Sequence, residues 1–495
     1  MTDTLVGVQH FQMYIGGEFR ESREGERFEC FNPFNGTTWA TVPNGGKEDV
    51  DAAVESARSS FSGEWANITG FERASLLREL ARLIAEHDEE LARAEVSDSG
   101  KLYREMILQV RSLSRWFYYY AGLADKIEGK SIPTPNPNNL VYTTREPVGV
   151  VAAITPWNAP LMLLTFKLAP ALAAGCSIVV KPSEHAPAST LLFAKLVHAA
   201  GFPAGVFNVV TSKDPLVGAM LASHPGVDKV AFTGSSATGA KVAAAAASNL
   251  NASILELGGK SPQVVFPDAD LEETATGIVS GIFAAAGQTC MAGSRVLAHE
   301  SIHDRLVELI VKLTQRIQVG DPSQPDTQLG PIANEPQFNR IVELMNIARE
   351  QGAVAEYGGS ADGQRGGLFV LPTVFSGVSN DMTIAREEVF GPVLSILKFT
   401  TEEEAVKIAN DTEYGLAAGV WTSDIRRAHR VAKAIKAGTV WINSYRSVAE
   451  SVPFGGFKAS GLGRENGTEA ILDYTETKSV WVNLGKAVRD PFTLG

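Results

Sequence analysis

The chain has 495 residues, a formal net charge of -12, 44% hydrophobic residues and 20% charged residues. This composition is typical of soluble globular proteins rather than disordered or fibrous ones, the length predicts two or three domains, and the negative charge disfavours a nucleic-acid partner. Its three cysteines, Cys30, Cys176 and Cys290, are too scattered for a disulfide framework or a paired metal site, so we expect a cytoplasmic protein without a bound metal.

Residues 46–125, near the N-terminus, are expected to be helical. Its first residues show no basic region followed by an apolar core, so we expect no signal peptide. Between residues 46 and 125 apolar residues recur at steps of three and four, with charges between them, which is the period of an amphipathic helix. Residues 131–139 are turn-rich and predict a break, and the alternation in residues 140–154 predicts strands.

One long apolar segment, residues 148–180, contains Lys167 as its only charged residue. A membrane helix needs about 20 mostly apolar residues. This segment is interrupted by Pro156, Pro160 and Pro170, and its short pieces are rich in Ala or β-branched residues. That pattern is typical of buried strands and helices in an α/β domain, so we expect no membrane span.

Strand-like and helical segments alternate from residue 148 to residue 257. The strand-like runs are GVVAAI, SIVVK, GVFNVV, KVAFTG and SILELG, and helical runs such as residues 186–201 and 235–248 lie between them. This alternation predicts a parallel, doubly wound sheet. Such sheets bind ligands at the carboxyl ends of their strands.

A second α/β unit is predicted from about residue 260 to residue 445. Helical segments at 301–317, 334–351 and 401–409 alternate there with the strand-like runs PVLSILKF and AAGVWTS. A glycine-rich segment and a last strand-like run, KSVWVNL, follow. This final strand could pair with residues 140–150 or with another subunit, because exposed strand edges are usually covered.

The most distinctive local motif is FAAAGQTCMAGSR, which contains Cys290. One interpretation is a buried core cysteine, which is common. The other is a nucleophile, which needs access and either a lowered pKa or an adjacent base. The eight histidines form no recognisable motif, so a Cys–His hydrolase is not indicated.

Two further motifs place polar side chains where catalysis could use them. Glu256 ends a strand-like run in ELGGK, where it is either a general base or a surface carboxylate before a turn. Asn158 lies between prolines in TPWNAP, where a rigid amide could stabilise an oxyanion or could simply occupy a turn.

Two more motifs could contact a nucleotide. In KPSE, Lys181 and Glu184 could meet ribose hydroxyls, or form a solvated turn before a helix capped by Ser183. In FTGSSATGAK, Gly234 and Ser235 lie at a predicted helix start, which favours a pyrophosphate. Neither the usual dinucleotide fingerprint nor a P-loop is satisfied there.

Together these motifs, with EEVFGP at 387–392 and PFGGFKASGLGREN at 453–466, resemble the aldehyde dehydrogenase superfamily over about residues 10–485. The resemblance implies an α/β protein with a Rossmann-like parallel-sheet cofactor domain, a second α/β catalytic domain and a small β oligomerisation domain, forming a homo-oligomer, either dimer or tetramer. The implied domains are 1–122 with 148–258 for NAD binding, 259–458 for catalysis, and 123–147 with 475–495 for oligomerisation.

The same resemblance implies oxidation of an aldehyde to a carboxylic acid, with NAD as hydride acceptor, through a cysteine thiohemiacetal and a thioester. Cys290 is then the nucleophile, Asn158 and the backbone N–H of Cys290 form the oxyanion hole, Glu256 is the general base and Lys167 relays protons. Implied cofactor contacts are Thr155, Pro156, Trp157, Lys181, Ser183, Glu184, Gly234, Ser235, Gly258, Glu388 and Phe390.

Particular residues refine this expectation. Glu256 favours water over coenzyme A as the acyl acceptor, and Glu184 favours NAD while leaving NADP possible, because a carboxylate repels a 2′-phosphate. An apolar or mixed substrate tunnel is expected to be lined by Tyr118, Tyr119, Leu163, Phe166, Met291 and Phe454. Arg446 is either a contact for a substrate carboxylate or a surface charge. A non-enzymatic dinucleotide sensor on the same fold is the alternative from a different functional class.

Overall fold

A computed structural model describes residues 7–363, 365, 367–485 and 492. The helices are α1 (Lys47–Ser62), α2 (Gly70–Glu86), α3 (Asp88–Ser99), α4 (Tyr103–Ala121), α5 (Pro160–Ala174), α6 (Ala188–Ala199), α7 (Pro215–Ala222), α8 (Ser236–Ala247), α9 (Leu271–Phe283), α10 (Glu300–Thr314), α11 (Glu335–Glu350), α12 (Thr383–Arg386), α13 (Glu402–Asn410), α14 (Ile425–Ala434) and α15 (Ala470–Asp473).

The strands are β1 (Gln9–His10), β2 (Met13–Ile15), β3 (Glu18–Arg20), β4 (Arg27–Phe31), β5 (Thr38–Pro43), β6 (Ser131–Ile132), β7 (Asn139–Pro147), β8 (Val150–Ile154), β9 (Ser177–Lys181), β10 (Phe207–Val209), β11 (Lys229–Thr233), β12 (Ala252–Glu256), β13 (Pro262–Val265), β14 (Arg295–His299), β15 (Val354–Tyr357), β16 (Thr373–Ser376), β17 (Val393–Phe399), β18 (Ala417–Trp421), β19 (Thr439–Ile442), β20 (Gly461–Leu462) and β21 (Thr475–Asn483).

The first sheet has the order β20-β12-β11-β8-β9-β10-β2-β3. Its central five strands are parallel, as the alternation of strands and helices predicts. These strands are buried on both faces because helices pack on either side, which explains their continuous Val, Ile and Ala runs. The chain leaves β8 toward β9 in one direction and later returns to β11 in the other, so a topological switch point lies between β8 and β11.

The second sheet has the order β15-β16-β17-β14-β13-β18-β19 and includes the strand-like runs predicted between residues 392 and 423. All its pairings are parallel except that of β15 with β16 at one edge. A separate hydrophobic core surrounds it, formed by α9, α10 and α11 against the sheet. The chain therefore contains two α/β units, each with its own core.

A third sheet, β21-β7-β6, pairs the last strand with the strand that precedes β8. This pairing agrees with the first of the two partners predicted for the final strand. The implied boundaries of the oligomerisation segment extend further, and its residues 486–491 and 493–495 lie outside the described residues, as do residues 1–6 of the implied NAD-binding domain.

The helices predicted between residues 46 and 125 are present as α1 to α4, and residues 9–43, for which the sequence predicted no elements, precede them. Residues 9–43 form five short strands, of which β2 and β3 extend the first sheet in antiparallel fashion and β1, β5 and β4 make a small separate sheet. Within the described part of the chain, no helix is both long and apolar enough to cross a membrane.

Candidate active site

The motifs that the sequence analysis singled out converge at one edge of the first sheet. In register, Glu256 is the partner of Thr233, Phe232 that of Ile154, and Ile154 that of Lys181. Because these strands are parallel, their carboxyl ends lie side by side. ELGGK, FTGSS, TPWNAP and KPSE therefore meet at the switch point, although more than 70 residues separate the first of them from the last.

Cys290 comes to this edge from the second α/β unit, in the loop between α9 and β14. The turn before it contains Ala285 (φ 53°) and Ala286 (φ 52°), both in the left-handed region. This conformation costs a residue with a side chain roughly 1–2 kcal/mol, and such strain persists only where the surrounding structure imposes it. The strained turn directs the chain so that Cys290 lies between the two units.

The Cys290 side chain lines two cavities at once. One, of about 240 Å³, is bounded by the strand-end loops of the first sheet together with Glu388 and Phe390. The other, of about 360 Å³, is bounded by α4, α5 and the loops around Met291 and Phe454. Asn158 and Leu163 also line both cavities, so the half-buried thiol lies at their junction.

Asn158 is held against the loop that carries Cys290. Its Nδ2 donates a hydrogen bond to the carbonyl oxygen of Gln288 at 3.0 Å, and the side chain is buried. A primary amide has two N–H donors, so the second remains available to a group in either cavity. Pro160 begins α5 two residues later, which fixes the backbone on that side.

Glu256 is buried, and neither of its carboxylate oxygens has a hydrogen-bond partner among the described residues. Burial and, secondarily, the charge of Glu465 raise the pKa of Glu256 well above its usual range, while Lys167 and Arg464 oppose that shift. Burial, with the charges of Glu256 and Glu388, also raises the pKa of the Cys290 thiol to about 12. The thiol is therefore protonated near neutral pH and needs a base to become a nucleophile.

Lys167 belongs to a buried polar network whose charges act on Glu256. It donates hydrogen bonds to the Oγ1 of Thr233 at 2.6 Å and to a carboxylate oxygen of Glu465. Both Lys167 and Glu465 are buried, and burial raises the pKa of Glu465 as well. Two carboxyls and one ammonium in one desolvated cluster favour a state in which one carboxyl keeps its proton.

The loop around Gly258 leaves space that a larger residue would fill. A Cβ at Gly258 would lie 2.3 Å from an oxygen of Glu388, and one at Gly259 would lie 2.6 Å from the carbonyl oxygen of Cys290. The backbone N–H of Gly259 donates to the Oε1 of Glu388 at 2.9 Å. Burial raises the pKa of Glu388 to about 7. The glycine pair thus allows close contact between the loop that contains Cys290, the Glu388 carboxylate and the end of β12.

The remaining cofactor-side positions lie on the same edge. Trp157 and Phe390 make an edge-to-face contact with ring centroids 5.2 Å apart, and both line the smaller cavity with Gly234, Ser235 and Pro156. Ser235 caps the N-terminus of α8, where its hydroxyl accepts a hydrogen bond from the N–H of Thr238. Lys181 is buried with its Nζ 3.5 Å from Glu184. This row of a helix start, a lysine and a carboxylate along one sheet edge fits a dinucleotide.

Comparisons with known proteins agree with this site. A sequence model of the aldehyde dehydrogenase family matches residues 19–480. The chain is 45% identical to (Z)-2-((N-methylformamido)methylene)-5-hydroxybutyrolactone dehydrogenase of Acinetobacter baylyi, over 98% of this chain and 100% of that protein.

The chain belongs to the aldehyde dehydrogenase family.

Other family members are similar over nearly their whole length. Retinaldehyde dehydrogenase 3 of Homo sapiens is 44% identical over 97% of this chain and 94% of that protein. The NAD+ complex of betaine aldehyde dehydrogenase from Staphylococcus aureus has a TM-score of 0.96 and 40% identity, covering 98% of this chain and 97% of that chain. The predicted family, the α/β fold class and the enzyme class, an aldehyde-oxidising oxidoreductase, are confirmed.

In this member of the family, the larger cavity has a mixed wall, which is one of the two alternatives, apolar or mixed, that the sequence suggested. Leu163, Phe166, Met291 and Phe454 line it as expected. Tyr118 and Tyr119 are wrong as tunnel residues, because the helical period of α4 turns Trp116 toward the cavity and leaves Tyr118 exposed. Charged and polar residues also line the wall: Lys101, Glu105, Gln109, Arg115 and Arg446.

Two smaller expectations also need correction. Ser183 does not cap a helix, because α6 begins only at Ala188; its hydroxyl instead accepts from the N–H of His185 within a turn. Lys181 is buried rather than solvated. The structure adds Gln337 and Arg340 to the cofactor-side cavity and Glu465 to the Lys167 network. In the described ranges, no group of three or more His, Cys, Asp or Glu residues could hold a metal ion.

The sequence contained one unused indication of the polar wall. Residues 101, 105, 109, 112 and 116 follow one another at steps of four and three, so they share one face at and before α4. Apolar residues of the same helix, such as Val110 and Leu113, face the core instead. A polar stripe beside an apolar stripe normally indicates solvent, and only the tertiary structure shows that this stripe faces a cavity.

Proposed function

We propose that this protein oxidises an aldehyde to the carboxylic acid with NAD, using Cys290 as the nucleophile. The observation that carries the proposal is the position of the Cys290 thiol at the junction of two cavities, beside the amide of Asn158. One cavity offers room for a nicotinamide and the other for a substrate. A core cysteine or a sensor without catalysis would not need both.

The first half of the reaction forms a bond between the Cys290 sulfur and the aldehyde carbon. The Cys290 thiol has a pKa of about 12, so a base must take its proton before the sulfur can attack. We assign this task to Glu256, whose charge contributes to the raised pKa of the thiol. The carbonyl oxygen becomes an alkoxide, which the second N–H of Asn158 and the backbone N–H of Cys290 stabilise. Removing one such donor typically slows a reaction by about 10²–10³.

NAD, when bound, accepts the hydride whose loss converts the thiohemiacetal into a thioester. Once the thiol proton has left Glu256 toward Lys167 and Glu465, the ionised Glu256 takes a proton from a water that attacks the thioester carbon. The carbon–sulfur bond breaks, the carboxylic acid leaves, and Cys290 recovers its proton. We assign Lys167, which bonds Glu465 and whose charge acts on Glu256, the relay of that proton to and from Glu256.

We assign the cofactor contacts from the shape and charge of the switch-point edge. Lys181, Ser183 and Glu184 are placed to meet the adenosine ribose, and Gly234 and Ser235 the pyrophosphate at the start of α8. Thr155, Pro156, Trp157, Gly258, Glu388 and Phe390 surround the nicotinamide ribose and ring. Glu184 favours a free 2′-hydroxyl and hence NAD over NADP. NAD+ complexes of two family members support this assignment.

We also propose that the protein is a cytoplasmic homo-oligomer, either a dimer or a tetramer. All three cysteines are unpaired, which suits a reducing compartment. The third sheet exposes apolar side chains along β7 and β21, including Leu140, Tyr142 and Val482. A second copy of the chain is the occupant that would cover this face.

Incubation with NAD and a panel of aldehydes should produce NADH, measured at its absorbance band. Replacing Cys290 by Ala should abolish NADH formation because no thiohemiacetal can form. Cys176→Ala is the matched control, since that cysteine is buried elsewhere in the first unit. Full activity in the Cys290→Ala protein would contradict the mechanism, and NAD binding without turnover on any aldehyde would favour a sensor.

A further inference from the structure

The larger cavity ends in charges that the oxidation chemistry does not use. Its lining includes three cations, Lys101, Arg115 and Arg446, and one anion, Glu105. Arg115 lies 3.7 Å from Glu450 and over the ring of Trp116, so its charge is largely balanced. Lys101, Arg446 and Glu105 remain, which leaves the wall with one positive charge in excess.

Lys101 is buried and has no hydrogen-bond or ion-pair partner among the residues described. Burial lowers its pKa to about 8, against the opposing fields of Glu95 and Glu105, so the ammonium is still mostly charged at pH 7. A buried charge without a partner is costly. Such an ammonium is retained where a ligand supplies the missing acceptor.

Arg446 and Gln109 add further donors to the same wall. Arg446 is held by one hydrogen bond, from its Nη1 to the carbonyl oxygen of Ser280 at 3.3 Å. The Nε2 of Gln109 is buried and has no partner in the described part of the chain. Glu105 is the one acid of this wall, and its Oε1 already accepts from the N–H of Ala285 at 3.3 Å. Unpaired donors therefore outnumber the unpaired acceptor.

We propose that Lys101 and Arg446 bind a carboxylate at the far end of the substrate, so that the physiological substrate is a short aldehyde bearing a second, acidic end. This inference rests on the proposed function. Cys290, Lys101 and Arg446 line the same cavity of about 360 Å³, so few carbon atoms separate the aldehyde from the carboxylate. Gln109 adds a third hydrogen-bond donor to this wall. The carboxylate of Glu105 attracts both cations.

Three four-carbon aldehydes test the proposal: succinic semialdehyde, 4-hydroxybutanal and butanal. Wild-type kcat/KM should be highest for succinic semialdehyde, about tenfold or more above butanal, mostly through KM. Lys101→Met should lower kcat/KM for succinic semialdehyde about 10- to 100-fold and change that for butanal less than about threefold. Arg446→Gln should act in the same direction.

Arg104→Met is the matched control, because Arg104 is exposed at the start of α4, three residues after Lys101, and lines neither cavity. The inference would be overturned if Lys101→Met and Arg446→Gln each lowered kcat/KM equally for all three aldehydes. A wild-type preference for butanal or 4-hydroxybutanal would overturn it as well. If butanal is oxidised in a Cys290-dependent way without a carboxylate preference, this inference alone fails. If none of the three yields NADH, the proposed function fails with it.

A binding measurement without NAD provides an independent readout. Succinate should slow alkylation of Cys290 by iodoacetamide more than butyrate does, followed by mass spectrometry of the peptide that contains Cys290. Lys101→Met should remove the difference between the two acids. Equal protection by succinate and butyrate in the wild-type protein would count against the inference.

Discussion

At the scale of single residues, the site depends on carboxyls that are kept away from water and partners. An ionised carboxylate without a hydrogen bond is expensive to bury, so Glu256 keeps its proton to a higher pH than an exposed glutamate does. A raised pKa brings the group closer to the working pH, where a general base is most effective. The free-energy cost of burying the ionised carboxylate therefore raises the pKa of Glu256 and makes it a stronger base.

Replacing Glu256 by Gln should separate the two halves of the reaction. The first turnover should still release NADH as a burst of about one equivalent per active site, but more slowly than in the wild-type protein because the thiol must then lose its proton to water; steady turnover should fall further, by about 10²–10⁴, because hydrolysis loses its base. Stopped-flow absorbance measures both phases. Glu273→Gln, an exposed glutamate on α9, should leave both unchanged.

The same variant tests the sign of the pH dependence. A base acts in its ionised form, so wild-type kcat should rise as pH increases through the raised pKa of Glu256. That rise should be lost in the Glu256→Gln protein. A wild-type kcat that falls as pH increases between 6 and about 9 would contradict the assignment, as would a variant that keeps both the rise and full turnover.

At the scale of elements, the site is built where two loops pack backbone against backbone. The turn after β12 holds Gly258 and Gly259, and the loop before β14 holds Cys290. Gly259 has no strained φ, so its requirement for glycine is steric, set by the carbonyl oxygen of Cys290 at 2.6 Å from a built Cβ. The two α/β units can approach this closely at Cys290 because Gly259 has only a hydrogen atom where any other residue has a Cβ.

Gly259→Ala should therefore displace the Cys290 loop. We expect kcat to fall by about 10- to 100-fold, since a shift of about 1 Å at a reacting atom can cost 10² in rate, and stability to fall by about 1–3 kcal/mol. Burst amplitude and thermal unfolding measure the two effects. Gly218→Ala is the control: a Cβ there meets nothing, so activity should be unchanged. Normal kcat in the Gly259→Ala protein would show that the loops are free to separate.

The elements also show how far sequence patterns extend. The five parallel strands were predictable because long β-branched runs alternate with helices. Cys290, Asn158 and Glu256 stood out in local motifs, but the roles proposed for them came from the family resemblance and not from the motifs alone. Strands β1, β2 and β3 were not predictable, since each has only two or three residues and no clear alternation. The polar cavity wall was missed because Lys101 and Glu105 look like exposed charges until the fold buries them.

At the scale of the whole molecule, the third sheet is incomplete. β21, which has nine residues, forms one edge of this sheet and pairs with β7 on one side. Within the described ranges, no strand pairs with the other side of β21. Leu140 is paired with Val482, and Tyr142 with Val480, so these apolar side chains share one face. Three-stranded sheets with an exposed apolar face and a long free edge tend to associate.

Leu140→Asp combined with Val482→Asp should reduce the oligomeric mass, because both charges would be buried against the second copy. Light scattering coupled to size-exclusion chromatography measures the mass of wild-type and variant proteins at matched concentrations. Leu250→Asp is the control, since Leu250 is 95% exposed and far from this sheet in sequence. The expected order is an oligomer for wild type and control and a smaller species for the double variant. A wild-type monomer would contradict the proposed subunit contact, and a double variant with unchanged mass would place that contact elsewhere.

The activity of the smaller species shows whether the site works without a neighbouring subunit. Both cavities are lined by residues of a single chain, so we expect turnover to persist.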